Sequence, residues 1–249
     1  KFNENQILSF HGRNDDHKET GGNKTYKINF TQFLGGLRLG ATHSTGLKNA
    51  SLYELYGNIG QKNINPEKSE TNEIFGEYSL TENIKLFSTA YRTRMKDRIK
   101  INSSWNAYEN KVPDTTQEGL ENEIKWLTNN QSISLVSHFA KSRTDLNGPN
   151  SRRPDLSYGV DYSKKFNSSL YGPFDLNLSH RYIGDHIDWT GSKNEFVKSV
   201  DLIDMSIRKN LFGNVISFNF TNLLNERYEK PATYSQDGRM LSIGLRRSY

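Results

Sequence analysis

The sequence predicts an all-β protein, a transmembrane antiparallel β-barrel of up-and-down topology, and three observations carry that expectation. Apolar residues recur at every second position along many short stretches, the period of a strand with two different faces. The connections between those stretches alternate short and long along the chain. The composition combines only 33% hydrophobic residues and a mean hydropathy of −0.80 with 13 Tyr, 13 Phe and 3 Trp. Disordered chains are poor in rings. A sheet that faces lipid on one side needs only every second residue to be apolar.

About twelve strands follow in order. The first, near residues 4–12, opens without a secretory leader in KFNENQILSFHGR, and the chain reads as cut there. In the second, near 24–33, YKINF sets Tyr26, Ile28 and Phe30 against Lys27 and Asn29. A third lies near 36–45 after the turn LGG; a fourth and fifth, near 70–80 and 83–94, are joined by TEN. In the sixth, near 117–127, GLENEIKW sets Leu120, Ile124 and Trp126 against Gly119, Glu121, Glu123 and Lys125, with Asn122 the polar exception on the apolar parity. The seventh, near 130–141, follows TNN. The eighth, near 155–165, sets Leu156, Tyr158, Val160 and Tyr162 against Ser157, Gly159 and Asp161. The ninth, near 172–187, sets Phe174, Leu176, Leu178 and Tyr182 against Asp175, Asn177, Ser179 and Arg181. The tenth, near 198–209, leads through NLFG to the eleventh, near 213–222, where Ile216, Phe218 and Phe220 oppose Val215, Ser217 and Asn219. The twelfth, near 238–249, carries Leu241, Ile243, Leu245 and Tyr249 on one parity. Helical spacing fits none of these stretches.

Short connections (LGG, TEN, TNN, NSSLYG, NLFG) alternate with long ones near residues 13–23, 46–69, 95–116, 142–154, 188–197 and 223–237. A Greek-key sandwich would scatter its long loops to both ends. Strict alternation instead indicates a meander with tight turns on one side and elaborate loops on the other, the form of an outer-membrane barrel. In hydrocarbon every backbone donor and acceptor needs a partner, so a spanning sheet closes on itself. A spanning strand takes about 9–11 residues. Polar residues such as Glu121, Glu123, Asp161, Asp175 and Arg181 then face a wet lumen. On this reading the last strand seals against the first, and Tyr249 sits at the interfacial aromatic girdle.

Other functions lack a signature. The net charge of +5 is scattered rather than gathered in a stripe, so no nucleic-acid partner is expected. There is no cysteine, hence no disulfide and no thiolate metal site. No G-x-S-x-G occurs, and no catalytic residue or cofactor is expected. His180, Asp185, His186 and Asp188 in HRYIGDHID, like Asp15, Asp16 and His17, are read as solvated polar residues and not as metal ligands. Gly35 and Gly36 make a turn, not a phosphate cradle, since no helix follows them. What remains for ligand binding is the set of long loops, which tolerate variation. Their rings are Tyr53, Tyr56, Trp105, Tyr108, Trp189 and Tyr234. Each offers broad contact to a bulky, partly apolar ligand, or alternatively an anchor at the membrane interface.

Several stretches resemble TonB-dependent outer-membrane receptors. Leu52 to Gly57 spell LYELYG; Asn63, Pro66, Glu67, Lys68 and Ser69 match N-L-x-P-E-K-S, with Ile64 in place of the leucine. Tyr91 to Ile99 is similar to Y-x-x-x-x-x-D-x-I, GLE at 119–121 to G-V-E, and RRP at 152–154 to R-x-P. Asn222, Leu223, Tyr228, Gly238, Arg239 and Tyr249 hold the places of a terminal N-L-F-x-x-x-Y, G-R, aromatic-end pattern, with Leu224 for the phenylalanine. The cobalamin-transporter-like branch is nearest in wording, though siderophore receptors share it.

The resemblance implies a Gram-negative outer-membrane barrel of about 22 strands around a plug, with residues 1–249 supplying the C-terminal part and the plug and N-terminal strands absent. It implies TonB-energised uptake of cobalamin or an iron-siderophore type chelate. The TonB complex would act through the missing plug, membrane lipid would surround the barrel, and the barrel-assembly machinery would recognise Tyr249. A self-contained twelve-stranded pore or hydrolase barrel is the alternative. Pro66 is expected to break the chain before a strand, with Glu67 or Glu70 pairing to lysines, and Asn222 and Arg239 are expected to fix the last hairpin.

Overall fold

The computed structural model describes residues 4–18, 21–110, 113–144, 151–190 and 193–247; Tyr249 lies outside the described residues. The elements run β1 (Gln6–His17), β2 (Gly21–Leu34), β3 (Leu37–Lys48), α1 (Leu52–Tyr56), β4 (Glu67–Ser79), β5 (Ile84–Lys96), β6 (Lys100–Ile101), β7 (Tyr108–Glu109) and β8 (Thr115–Leu127). They continue as β9 (Gln131–Thr144), β10 (Leu156–Ser168), β11 (Gly172–Ile183), β12 (His186–Trp189), β13 (Asn194–Val197), β14 (Val200–Leu211), β15 (Asn214–Thr221) and β16 (Met240–Arg247). Twelve strands form one sheet in the order β1-β2-β3-β4-β5-β8-β9-β10-β11-β14-β15-β16, so ladder order follows chain order. The pairs β6·β7 and β12·β13 are separate two-stranded hairpins within long connections. The chain divides into two compact units: the described residues within Lys1–Glu77, Thr89–Gly119 and Lys141–Asn150, and those within Tyr78–Ser88, Leu120–Ala140 and Ser151–Tyr249.

In the first unit β1 and β2 pair from Gln6↔Gln32 to His17↔Gly21. This corrects the expectation of a long loop at 13–23. Arg13, Asp15 and Asp16 stand opposite Thr25, Asn23 and Gly22. Backbone pairing continues there without an apolar face to reveal it. Phe75 lies over Gly40 so closely that a Cβ at that glycine would sit 2.2 Å from the ring and 2.7 Å from the Phe30 carbonyl. Tyr91 covers Gly119 in the same way.

In the second unit the register sorts side chains into rows. Ser132, Ser163, Asn177, Ser206, Asn219 and Ser242 stand opposite one another across β9, β10, β11, β14, β15 and β16. Ser163 donates to Asn177 at 2.8 Å, and Asn177 donates to Ser206 at 3.4 Å. One residue along, on the other face, Ile133, Tyr162, Leu178, Met205, Phe220 and Leu241 form an apolar row. Asn122, the polar exception, donates to Ser137 at 3.2 Å and accepts from Ser88 at 2.8 Å, so its amide is satisfied on the apolar face. The ninth predicted strand is shorter than expected: it ends at Ile183, and His186–Trp189 turn into a separate hairpin.

Large apolar side chains along the strands are exposed, among them Phe10, Ile74, Phe218, Ile243 and Leu245. Among the described residues the buried apolar set is small: Ala50, Leu55, Ile64, Ile99, Ala140, Val197, Val200 and Ala232. Most of it lies in or beside the connections. A water-soluble sheet protein buries its strand faces; this distribution suits strands whose apolar face meets lipid.

Candidate functional site

Each unit carries a packed cluster of long connections. In the first, Ser51 starts α1 by a reciprocal cap: its hydroxyl accepts from Glu54 N at 3.2 Å, and the Glu54 carboxylate accepts from Ser51 N at 2.7 Å. The helix is five residues long and aims Leu55, 2% exposed, into a cluster with Ala50, Ile64 and Ile99, against which Tyr108 packs. Burial pushes the Glu54 carboxyl up, but the Ser51 hydrogen bonds and the Lys48 charge outweigh it and hold the group below the usual carboxylate value.

Glu67 staples this cluster. It accepts from Lys48 Nζ at 3.0 Å and from the Ile99 backbone N–H at 3.0 Å. Asn110 bridges Asn65, through both its N–H and its C=O, to the Asp97 carbonyl. Among the described residues Glu67 and not Glu70 makes the lysine pair at the start of β4, and Pro66 is buried just before it. Burial and the Arg98 charge push the Lys100 ammonium down, with partial relief from Glu67.

The structure brings together some of the expected rings. Tyr53 stands edge-on to Tyr108, with centroids 6.3 Å apart and planes at 81°. Tyr53 is exposed while Tyr108 is half-buried, so Tyr108 supports and Tyr53 presents. Tyr56 is exposed with the Lys62 ammonium 5.5 Å from its ring centre. Trp105, 62% exposed, sits at the tip of the β6–β7 hairpin in a left-handed conformation, φ 56°. Asn102 holds that tip by accepting from Trp105 N and from Asn106 N.

In the second unit the organising residue is Asp188 on β12, one that the sequence reading dismissed as solvated. It is fully buried. Its Oδ1 accepts from Arg152 Nε at 2.6 Å and from Ser151 Oγ at 3.0 Å; its Oδ2 accepts from Ala232 N at 2.9 Å. Ser151 also accepts from Trp189 N at 2.8 Å, and Arg152 N donates to the Ile187 carbonyl. One carboxylate thus joins three connections. Burial pushes its pKa up, but the bonds from Arg152, Ala232 and Ser151 outweigh that and hold it below the ordinary value. His180 instead pairs with Asp201 at 2.8 Å, and His186 Nδ1 faces the Gly184 carbonyl, so the residues of HRYIGDHID do not converge.

The last connection is fixed by Asn222. Its side chain donates to the carbonyls of Glu226 and Asp237 and accepts from Glu226 N; its backbone N–H donates to Asp204. Arg239 contributes through its backbone N–H, which donates to Asn225 Oδ1 at 2.9 Å. A Cβ at Gly238 would lie 2.6 Å from that same Oδ1, which favours glycine at this position. Trp189 and Tyr234, in the same unit, are both exposed, at 45% and 66%. Tyr53, Tyr56, Trp105 and Tyr108 thus belong to the first cluster, and Trp189 and Tyr234 to the second. Sequence reasoning found the rings and missed their supports, although the Arg of R-x-P and the Asp of HID were both in view.

Known proteins share this architecture. Residues 1–223 match the family described as TonB dependent receptor-like, beta-barrel. The vitamin B12 transporter BtuB of Vibrio cholerae serotype O1 is 25% identical over 231 residues, 89% of this chain and 36% of the transporter. The chain therefore spans about a third of the curated relatives it matches. The siderophore receptor PirA from Acinetobacter baumannii superposes with a TM-score of 0.83 at 16% identity, covering 98% of this chain and 44% of that one. The ferric enterobactin receptor PfeA from Pseudomonas aeruginosa gives 0.79 at 19% identity, over 98% and 43%. The family is one of transport receptors and not of enzymes. With most of its length matched and twelve antiparallel strands in one meander, the chain belongs to the TonB-dependent receptor β-barrel family of the Gram-negative outer membrane.

Proposed function

We propose that residues 1–249 form the C-terminal part of the barrel of a receptor that takes up cobalamin or a ferric siderophore. TonB would drive it through a plug encoded outside this stretch. The observation that carries the reading is the pair of braced loop clusters, each presenting exposed rings on a fixed frame: Tyr53, Tyr56 and Trp105 over Tyr108 and Glu67, and Trp189 and Tyr234 over Asp188 and Asn222. Rigid aromatic anchors bind a bulky chelate with little loss of entropy. The relatives support both substrates, because a B12 transporter matches in sequence and siderophore receptors match in fold. Uptake of radiolabelled cyanocobalamin and ferric siderophores by cells carrying the whole gene, with and without functional TonB, tests the proposal. Accumulation of one of these substrates that ceases without TonB is expected. Accumulation that persists without TonB would refute it.

A further inference from the structure

Two lysines interrupt the apolar, lipid-facing rows of the second unit near their short turns. Lys164 stands in one row with Leu176, Ile207, Phe218 and Ile243. Lys209 lies two residues beyond Ile207, on the same face and opposite Ile216. Phe166 and Phe174, opposite one another and nearer the turn than Lys164, stack with centroids 4.8 Å apart and planes at 11°. The Lys164 ammonium lies over the Phe166 ring, 4.9 Å from its centre, so its stem runs toward the short turns, the periplasmic end. The Lys209 ammonium donates to the Tyr171 carbonyl on one of those turns, which uses one of its three N–H donors. Tyr171 and, on the next short turn, Phe212 are exposed. Among the described residues Asp201 is the one carboxylate on that face of β10, β11, β14, β15 and β16, and it pairs with His180 at the opposite end of β14 from Lys209. Asp161 and Asp175 belong to the other face, where Asp161 accepts from Arg181 and Asp175 stands opposite Lys165 and Arg208.

We infer that Lys164 and Lys209 together hold the phosphodiester of one anionic glycerophospholipid of the periplasmic leaflet, with its acyl chains along the row from Leu176 to Phe218. The site is in the barrel wall and is independent of which ligand the receptor takes up. An ammonium set among apolar side chains needs an anion, and the protein supplies no carboxylate at that end of this face. The lipid phosphate is the anion present at that depth. Neighbouring strands lie about 4.8 Å apart and residues rise about 3.3 Å, so two strands and two residues separate the lysine stems by about 12 Å, within reach of one headgroup. Two cations facing no acid favour a headgroup of net negative charge over a zwitterionic one. The rings of Phe166, Phe174 and Tyr171 suit the boundary between headgroup and chains.

The test is native mass spectrometry of the whole receptor, purified from outer membranes in mild detergent, with phosphatidylglycerol and phosphatidylcholine of the same acyl chains as competing probes. The receptor should retain phosphatidylglycerol about fivefold or more over phosphatidylcholine. In the Lys164→Gln, Lys209→Gln double variant that ratio should fall to near one, and in Lys164→Arg, Lys209→Arg it should persist. Lys198→Gln, Lys230→Gln, which removes two charges from the long connections, should leave it unchanged. Millimolar inorganic phosphate should not displace the lipid. Equal retention of the two lipids by the unaltered receptor would overturn the inference, as would an undiminished ratio in the glutamine variant. The same fall in the Lys198, Lys230 variant would reduce the effect to net charge and overturn it too. Displacement by inorganic phosphate would show a site for the free ion in place of the lipid. The lipid preference and the phosphate competition are read on the unaltered protein, so they decide the matter even where a variant fails to assemble.

Discussion

Replacing Asp188 should loosen the second loop cluster without melting the sheet. In Asp188→Ala three donors lose their acceptor: Arg152 Nε, Ser151 Oγ and Ala232 N. Arg152 and Ser151 are exposed enough to be rehydrated, so their loss is screened. Ala232 is 4% exposed, and its orphaned N–H costs about 1–3 kcal/mol. With the surface share added, the junction should lose about 2–4 kcal/mol, and Asp188→Asn about half of that. Hydrogen exchange reads this locally, because the Ala232 and Trp189 amides open with the junction. About 2.7 kcal/mol corresponds to about a hundredfold faster exchange. The pH dependence has a fixed sign. The folded-state pKa of Asp188 is depressed, so its stabilisation is complete above the ordinary carboxylate value, about 4, and is lost as pH falls through the lower folded value. Protection of Ala232 should therefore be flat from neutrality down to about pH 4 and collapse below it. Unchanged exchange at Ala232 in Asp188→Ala, or loss of protection already between pH 7 and 5, would refute the reasoning.

Other substitutions probe the sheet. Phe218 lies on the apolar face and Asn219 in the Ser/Asn row, so Phe218→Arg should cost about 2–4 kcal/mol in urea unfolding of the whole receptor in lipid, and Asn219→Arg far less; equal losses would show that the strand is not two-faced. Gly40→Ala drives a methyl into Phe75 and the Phe30 carbonyl and should cost about 1–3 kcal/mol, whereas Gly22→Ala, with nothing within 4 Å, should be close to neutral in the same assay. For Tyr249 the expectation concerns assembly: Tyr249→Ala should lower the amount of heat-modifiable barrel in the outer membrane, and Tyr249→Phe should be nearly silent. A normal yield of the alanine variant would make Tyr249 an ordinary chain end.

The strands were legible because their cause is local. Ile216, Phe218 and Phe220 announce β15 by period alone, and the partner rows follow from the same parity. The pattern fails where its cause stops. Arg13 to His17 continue β1 with polar residues on both faces, because strand pairing needs backbone partners and not an apolar stripe. Gly184 N donates to the Leu156 carbonyl and the chain departs from the sheet there, a break that HRYIGDHID does not advertise. The exposed rings of the loops could be named from sequence, since aromatics in long connections are conspicuous. Their braces could not. Glu67 finds Lys48 and Ile99, and Asp188 finds Arg152 and Ala232, across separations that leave no periodic trace.

Those separations also impose an order of events. Asp188 meets Arg152 across 36 residues and Ala232 across 44. The first interval contains β10 and β11, the second β13, β14 and β15. The ladder of β10, β11, β14 and β15 must bring the three segments together before one carboxylate can gather its donors, since closing such intervals by a side chain alone is entropically unfavourable. The junction therefore follows the pairing of those four strands. A strand misplaced by one register step anywhere between Arg152 and Ala232 leaves Asp188 without a full set of donors. The carboxylate then stays hydrated, which makes protection of the Ala232 amide a local gauge of whether β10, β11, β14 and β15 pair in register.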